Sequence, residues 1–150
     1  MPEQPDATDR GPHHLRSGAG SVIFGLYAVM ALAATGRSTV QIAEYFHRAP
    51  VAYVLSALAA VIYLVAVVAL ARGGWTALRV ATVSCTVELV GVLAVGAWSY
   101  AQPSAFPDRT VWSHFGQGYG YLPLVLPVLG LWWLRRNTVR TDAARGRAAG

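Results

Sequence analysis

Residues Pro50–Ala71, PVAYVLSALAAVIYLVAVVALA, run through about 22 positions without a charge, the length a helix needs to cross a hydrocarbon core of ~30 Å. The proline stands at the first helical position, where its missing N–H costs nothing. Apolar side chains fall on every side of this segment rather than on one stripe, so no single face is reserved for a soluble core. Its surroundings must be lipid or other apolar helices. That reading decides the fold class: an all-α, polytopic membrane protein.

Working outward, the next block, Thr76–Trp98, is of similar length but carries Arg79 near one end and Glu88 near its centre. Upstream, AGSVIFGLYAVMALAAT (Ala19–Thr35) has about 17 residues, at the short end for a span. Downstream, FGQGYGYLPLVLPVLGLWWL (Phe115–Leu134) contains Pro123 and Pro127 as expected kinks. The expectation is four transmembrane helices in a single bundle, over about 19–35, 50–71, 76–98 and 115–134, forming a membrane domain at 18–135. A disordered tail is expected at 1–17 and a disordered basic tail at 136–150. In the first connection, Val40, Ala43 and Phe46 recur at helical spacing, with Glu44 and Arg48 placed to pair. A short helix on the membrane surface and a solvated loop both fit it.

Composition agrees with this division. The 150 residues are 55% hydrophobic and only 13% charged, with a mean hydropathy of +0.42. The net charge of +5 comes from arginine alone, since the chain has no lysine. With the N-terminus inside, Arg10, Arg16, Arg72, Arg79, Arg135, Arg136, Arg140, Arg145 and Arg147 fall on the inner side, and Arg37, Arg48 and Arg109 on the outer. This asymmetry predicts a multi-pass plasma-membrane protein with both termini cytoplasmic, and it reads as a topology signal rather than a nucleic-acid surface. Trp75, Trp98, Trp112, Trp132 and Trp133 all lie near predicted span ends, where indoles favour the interface. An Ala31–Ala33 cleavage site is the competing reading of the first span, opposed by the long acidic leader.

Few motifs point to chemistry. The glycine-rich GQGYGY (Gly116–Tyr121) lacks the strand and helix that flank a phosphate loop. It also lacks a preceding pore helix, and about 13 apolar residues follow it, too few for a filter plus a complete span. Close packing through small residues is its expected role. His47, His114, Glu44 and Asp108 all belong to the outer side but have no diagnostic metal spacing, and Cys85 has no disulfide partner. No nucleophile sits beside a base. The expectation is no enzyme, no cofactor and no metal.

Glu88 is the exception. An ionised carboxylate near the bilayer midplane costs at least ~2.5 kcal/mol, so an uncharged group, buried against a neighbouring helix and hydrogen-bonded, is expected. Tyr63 and Tyr27 lie at comparable depth and offer hydroxyls, and Ser84 lies one turn away on the same face. These four residues form the candidate intramembrane polar site. Pinning helices together is the first reading of Glu88; proton coupling and contact with a partner subunit or ligand are the others.

The succession APVAYVLSALAAVIYLVAVVAL, VELVGVLAVG and FPDRTVWSHFGQGYGYLPLVLPVLGLWWLRR, in an arginine-only, alanine-rich chain, resembles the small four-span integral membrane proteins of actinobacteria. The resemblance covers roughly residues 21–136. It implies membrane location and four spans, and brings no catalytic residue with it. The expected role is a non-enzymatic accessory or interaction subunit. Its partners would be the lipid bilayer together with another membrane protein or a second copy, and not nucleic acid; the alternative is a small proton-coupled transporter using Glu88.

Overall fold

Four long helices account for most of the chain: α1 (Ala19–Tyr45), α2 (Pro50–Arg72), α3 (Gly74–Ala101) and α4 (Leu122–Ala148). The computed structural model describes residues 18–148, with side chains through 136 and at Thr138; the tail expected at 1–17 lies outside the described residues. Three of these helices, α1, α2 and α3, are long and apolar enough to cross a membrane, and the chain is an all-helical membrane protein.

Connections set the topology. The link from α2 to α3 is the single residue Gly73, at φ 69°, whose N–H bonds back to the Ala69 carbonyl at 3.2 Å. So abrupt a reversal demands the left-handed conformation that glycine adopts without a Cβ penalty, and it places α2 and α3 antiparallel. The α1–α2 packing is the most extensive, α3 packs equally on α2 and α4, and α4 closes back on α1. The result is a four-helix ring.

Its interior is built from small side chains. Along α2, Ala52, Ser56, Ala59, Tyr63, Ala66 and Leu70 are buried at alternating three- and four-residue steps. Lipid tails are as apolar as leucine, so burial alone does not drive helices together here; alanines let backbones approach and gain dispersion instead. The large aliphatic residues face outward: Leu32, Val83 and Val90 are each more than 60% exposed.

Three sequence expectations are corrected. α1 does not stop near Thr35 but continues to Tyr45, because no proline intervenes before Pro50 and Gln, Ile, Ala and Glu sustain the helix. The fourth helix begins at Leu122 rather than Phe115, since Phe115 and Gly116 take positive φ and cannot join a right-handed helix. At its other end α4 runs on to Ala148, through the segment expected to be a disordered tail. Alanine and arginine dominate there, and both are strong helix formers. The apolar part of α4 spans only Leu122–Leu134, and α4 is not among the three helices of spanning length and composition.

Between α3 and α4 the chain does not loop outside the bundle. Pro103–Ala105 and Ser113–Tyr119 form 3-10 turns, and Phe106, Thr110, Val111, Trp112, Ser113 and Gly116 are buried. This is a re-entrant segment, folded into one end of the helix ring.

Candidate functional site

Glu88 owes its position to α3, which buries Ala81, Ser84, Cys85, Glu88, Val92 and Val95 on one face. The carboxyl is 0% exposed. Tyr27 of α1, equally enclosed, donates to Glu88 Oε2 at 2.8 Å and lies 3.3 Å from Cys85 Sγ. A hydroxyl has one proton to give, so with that proton on Glu88 the thiol is the donor to Tyr27. The order Cys85, Tyr27, Glu88 is therefore a directed chain of hydrogen bonds between α1 and α3, which stand across the ring from one another.

The other helices complete the wall. Tyr63 of α2 is fully buried, with its ring 6.1 Å from that of Tyr27 at 57°, and its hydroxyl faces both Glu88 and the Trp112 indole. From α4, Gly130 abuts the same group: a Cβ there would lie 3.0 Å from Cys85 Sγ and 3.6 Å from the Tyr27 oxygen. All four helices meet at the level of Glu88.

The fifth wall is the re-entrant segment. Trp112 is only 2% exposed, and its six-membered ring rests on Gly91, where a Cβ would stand 2.9 Å from it. The Phe115 ring occupies the place of a Cβ on Gly96. These two glycines on α3 are notches cut for two aromatic rings. A left-handed turn at His114, Phe115 and Gly116, with φ of 52°, 58° and 80°, aims the second ring inward. Such a conformation costs a non-glycine residue roughly 1–2 kcal/mol. It is offset by contacts: Ser99 Oγ accepts the His114 N–H at 2.8 Å, and the His114 ring meets Tyr100 edge-on at 4.6 Å. Thr110 and Ser113 satisfy the turn's backbone, with the amides of Trp112 and Ser113 both donating to Thr110 Oγ1.

Further out, the segment is tied to the rest of the ring. Arg37 of α1 donates to the Arg109 carbonyl at 2.9 Å, and Asp108 accepts from Tyr53 of α2 and pairs with Arg48 at 3.4 Å. Thus Asp108 is a latch, and His47, Glu44 and His114 do not gather round it; among the described residues no three His, Cys, Asp or Glu side chains cluster.

The structure therefore brings Glu88, Tyr27 and Tyr63 together. Ser84, the fourth expected member, is buried one turn away, but the hydrogen bond to the carboxyl comes from Tyr27. Among the described residues Glu88 Oε1, the Tyr63 hydroxyl and Trp112 Nε1 have no hydrogen-bond partner, so three fully enclosed polar atoms from three elements converge on one spot. Sequence reasoning missed Trp112 and placed it, with Trp133, at the membrane interface; both are buried, while Trp75, Trp98 and Trp132 are exposed. A signal was present. A connection as aromatic as AFPDRTVWSHF is ill-suited to water, and the 13 or so apolar residues after Tyr121 are too few to start from the outer surface. Together these call for a chain that dips inward before its last helix begins.

No family model, no curated protein and no solved structure matches the chain.

Proposed function

We propose that this chain is a four-span plasma-membrane protein that works without catalysis, as an accessory or interaction subunit for another membrane protein or for a second copy of itself. The observation that carries this is the complete enclosure of Glu88 by four helices and the re-entrant segment. A carboxyl that carries protons across a bilayer has to meet water on each side in turn, whereas this one is fully buried and hydrogen-bonded from within. Its work is to lock the ring. The outer valine stripe of α3 (Val83, Val87, Val90) is left free for lipid or a partner helix.

The depth of the re-entrant segment supports a fourth span. From Ala101 back to Cys85 is roughly 24 Å of α3, while from Leu122 to Gly130, which abuts Cys85, is only about 12 Å of α4. On this count α4 starts about 12 Å inside the end of α3, and the short apolar run to Leu134 is enough to finish the crossing at Arg135 and Arg136. The arginine asymmetry then puts that end, and both termini, in the cytoplasm.

A proton-coupled transporter is the second reading, favoured by the convergence of Glu88 Oε1, Tyr63 and Trp112. Proteoliposomes under an imposed pH gradient separate the two. On the accessory reading, wild type and Glu88→Gln give equal background flux, and a photo-crosslinker at Val87 in native membranes yields a defined protein adduct. A flux carried by wild type and abolished by Gln, with stability unchanged, would establish the transporter instead.

A further inference from the structure

The one-residue reversal at Gly73 leaves a groove in the crotch between α2 and α3. It is open along the helix pair and offers about 440 Å³, within the range of small-ligand sites (roughly 300–1,000 Å³). Most of its lining is apolar, from Leu64, Val65 and Val68 of α2 and from Ala77 and Val80 of α3. The short side chains of Ala69 and Ala77 leave this space unfilled. At its mouth stand Arg72, the Gly73 backbone and Thr76.

Charge is as segregated as polarity. Arg72 ends α2, and among the described residues no carboxylate pairs with it. Glu44 closes α1 at the opposite end of the ring, Asp108 is latched to Arg48 there, and Glu88 is sealed in the middle. The first turn of α3 adds amides without a side-chain cap, whose partial positive charge has the same sign as Arg72. An uncompensated cation above an apolar cleft, both opening on the side of a membrane helix pair, matches a molecule with an anionic head and a hydrocarbon tail.

We propose that this groove is a binding site for one anionic phospholipid, its phosphate at Arg72 and the α3 amides, and the first part of an acyl chain between Val65, Val68 and Val80. A basic pocket between transmembrane helices selects lipid headgroups by charge, while the apolar cleft distinguishes a lipid from a free anion. The site is independent of the role proposed for Glu88.

The test uses the full chain in mild detergent, stripped of lipid and offered phosphatidylglycerol, phosphatidylcholine or inorganic phosphate. Retention is read by native mass spectrometry and stabilisation by thermal unfolding. Phosphatidylglycerol should be retained in one copy and raise the melting temperature, and neither phosphatidylcholine nor phosphate should do so. Arg72→Gln should weaken retention about fivefold, the scale of one arginine near an anionic surface. Ala77→Leu, which fills the cleft and leaves Arg72 in place, should weaken it as well. Arg136→Gln, at the same end but outside the groove, should leave it unchanged. Equal losses from Arg72→Gln and Arg136→Gln would mean diffuse attraction to a basic surface and would overturn the site. So would equal retention of phosphatidylcholine, or stabilisation by phosphate alone.

Discussion

Tyr27 and Tyr63 look alike from the sequence, yet they do different work. Both are fully buried tyrosines at the level of Glu88, but only Tyr27 donates to the carboxyl. Tyr27→Phe removes that bond and strands both Glu88 Oε2 and the Cys85 thiol. It should lower stability in detergent by about 0.6–1.7 kcal/mol, from the average to the largest value for hydrogen bonds between membrane helices. Tyr63→Phe deletes a buried hydroxyl that faces Glu88 and Trp112 without closing a well-formed hydrogen bond to either, and should cost less than Tyr27→Phe. Comparative thermal unfolding decides, and equal losses from the two variants would show that Tyr63 shares the carboxyl. The presence of a polar node at Glu88 was legible from one carboxylate in an apolar run. Which neighbour satisfies it was not, because a hydrogen bond depends on side-chain direction as well as depth.

Among the elements, the re-entrant segment is the one whose conformation is least forgiving. Gly116 has φ 80°, and a Cβ there would lie 2.7 Å from the Pro123 ring, so Gly116→Ala combines left-handed strain with a clash at the start of α4. It should destabilise by at least about 1–2 kcal/mol. Tyr121 also has positive φ, 61°, but its side chain is half exposed. Tyr121→Gly removes the same strain and should be neutral or stabilising by up to about 1 kcal/mol. Thermal unfolding of the pair checks whether the left-handed turn is held as described; stabilisation by Gly116→Ala would contradict it. Helix positions, by contrast, follow from length and hydropathy. The spans expected at 50–71 and 76–98 differ from α2 and α3 by a few residues at the ends, where fraying and capping compete.

At the scale of the whole molecule, the folded-in segment and the arginine asymmetry make joint predictions about access. Single cysteines are introduced into a Cys85→Ser background and probed in intact cells with a membrane-impermeant thiol reagent. Ser104→Cys, exposed near the start of the re-entrant segment, should label; Trp112→Cys, inside the ring, should not until the protein is unfolded; and Thr141→Cys should label only after the cells are opened. Labelling of Thr141→Cys in intact cells would reverse the proposed orientation. Labelling of Trp112→Cys as fast as Ser104→Cys would mean that the segment lies on the surface.

Sequence by itself determined the solvent of this protein. Predominantly apolar runs of 17–23 residues satisfy their backbone only as helices and bury their side chains only in lipid, so hydropathy and length suffice to name the class and to locate α1, α2 and α3. Tertiary structure decided the rest. Trp112 reads as interfacial and Phe115 as the start of the fourth span until Gly91 and Gly96, about twenty residues earlier on α3, provide notches for their rings. The 13 or so apolar residues of α4 read as too short until the preceding segment carries their start into the bundle. The partners of Glu88 come from α1, α2, α4 and the re-entrant turn, and no local pattern records such contacts. In lipid the hydrophobic effect sets which segments enter, but not which faces meet. That choice falls to close approach of small residues and to the direction of a few hydrogen bonds, which exist only once the helices are packed.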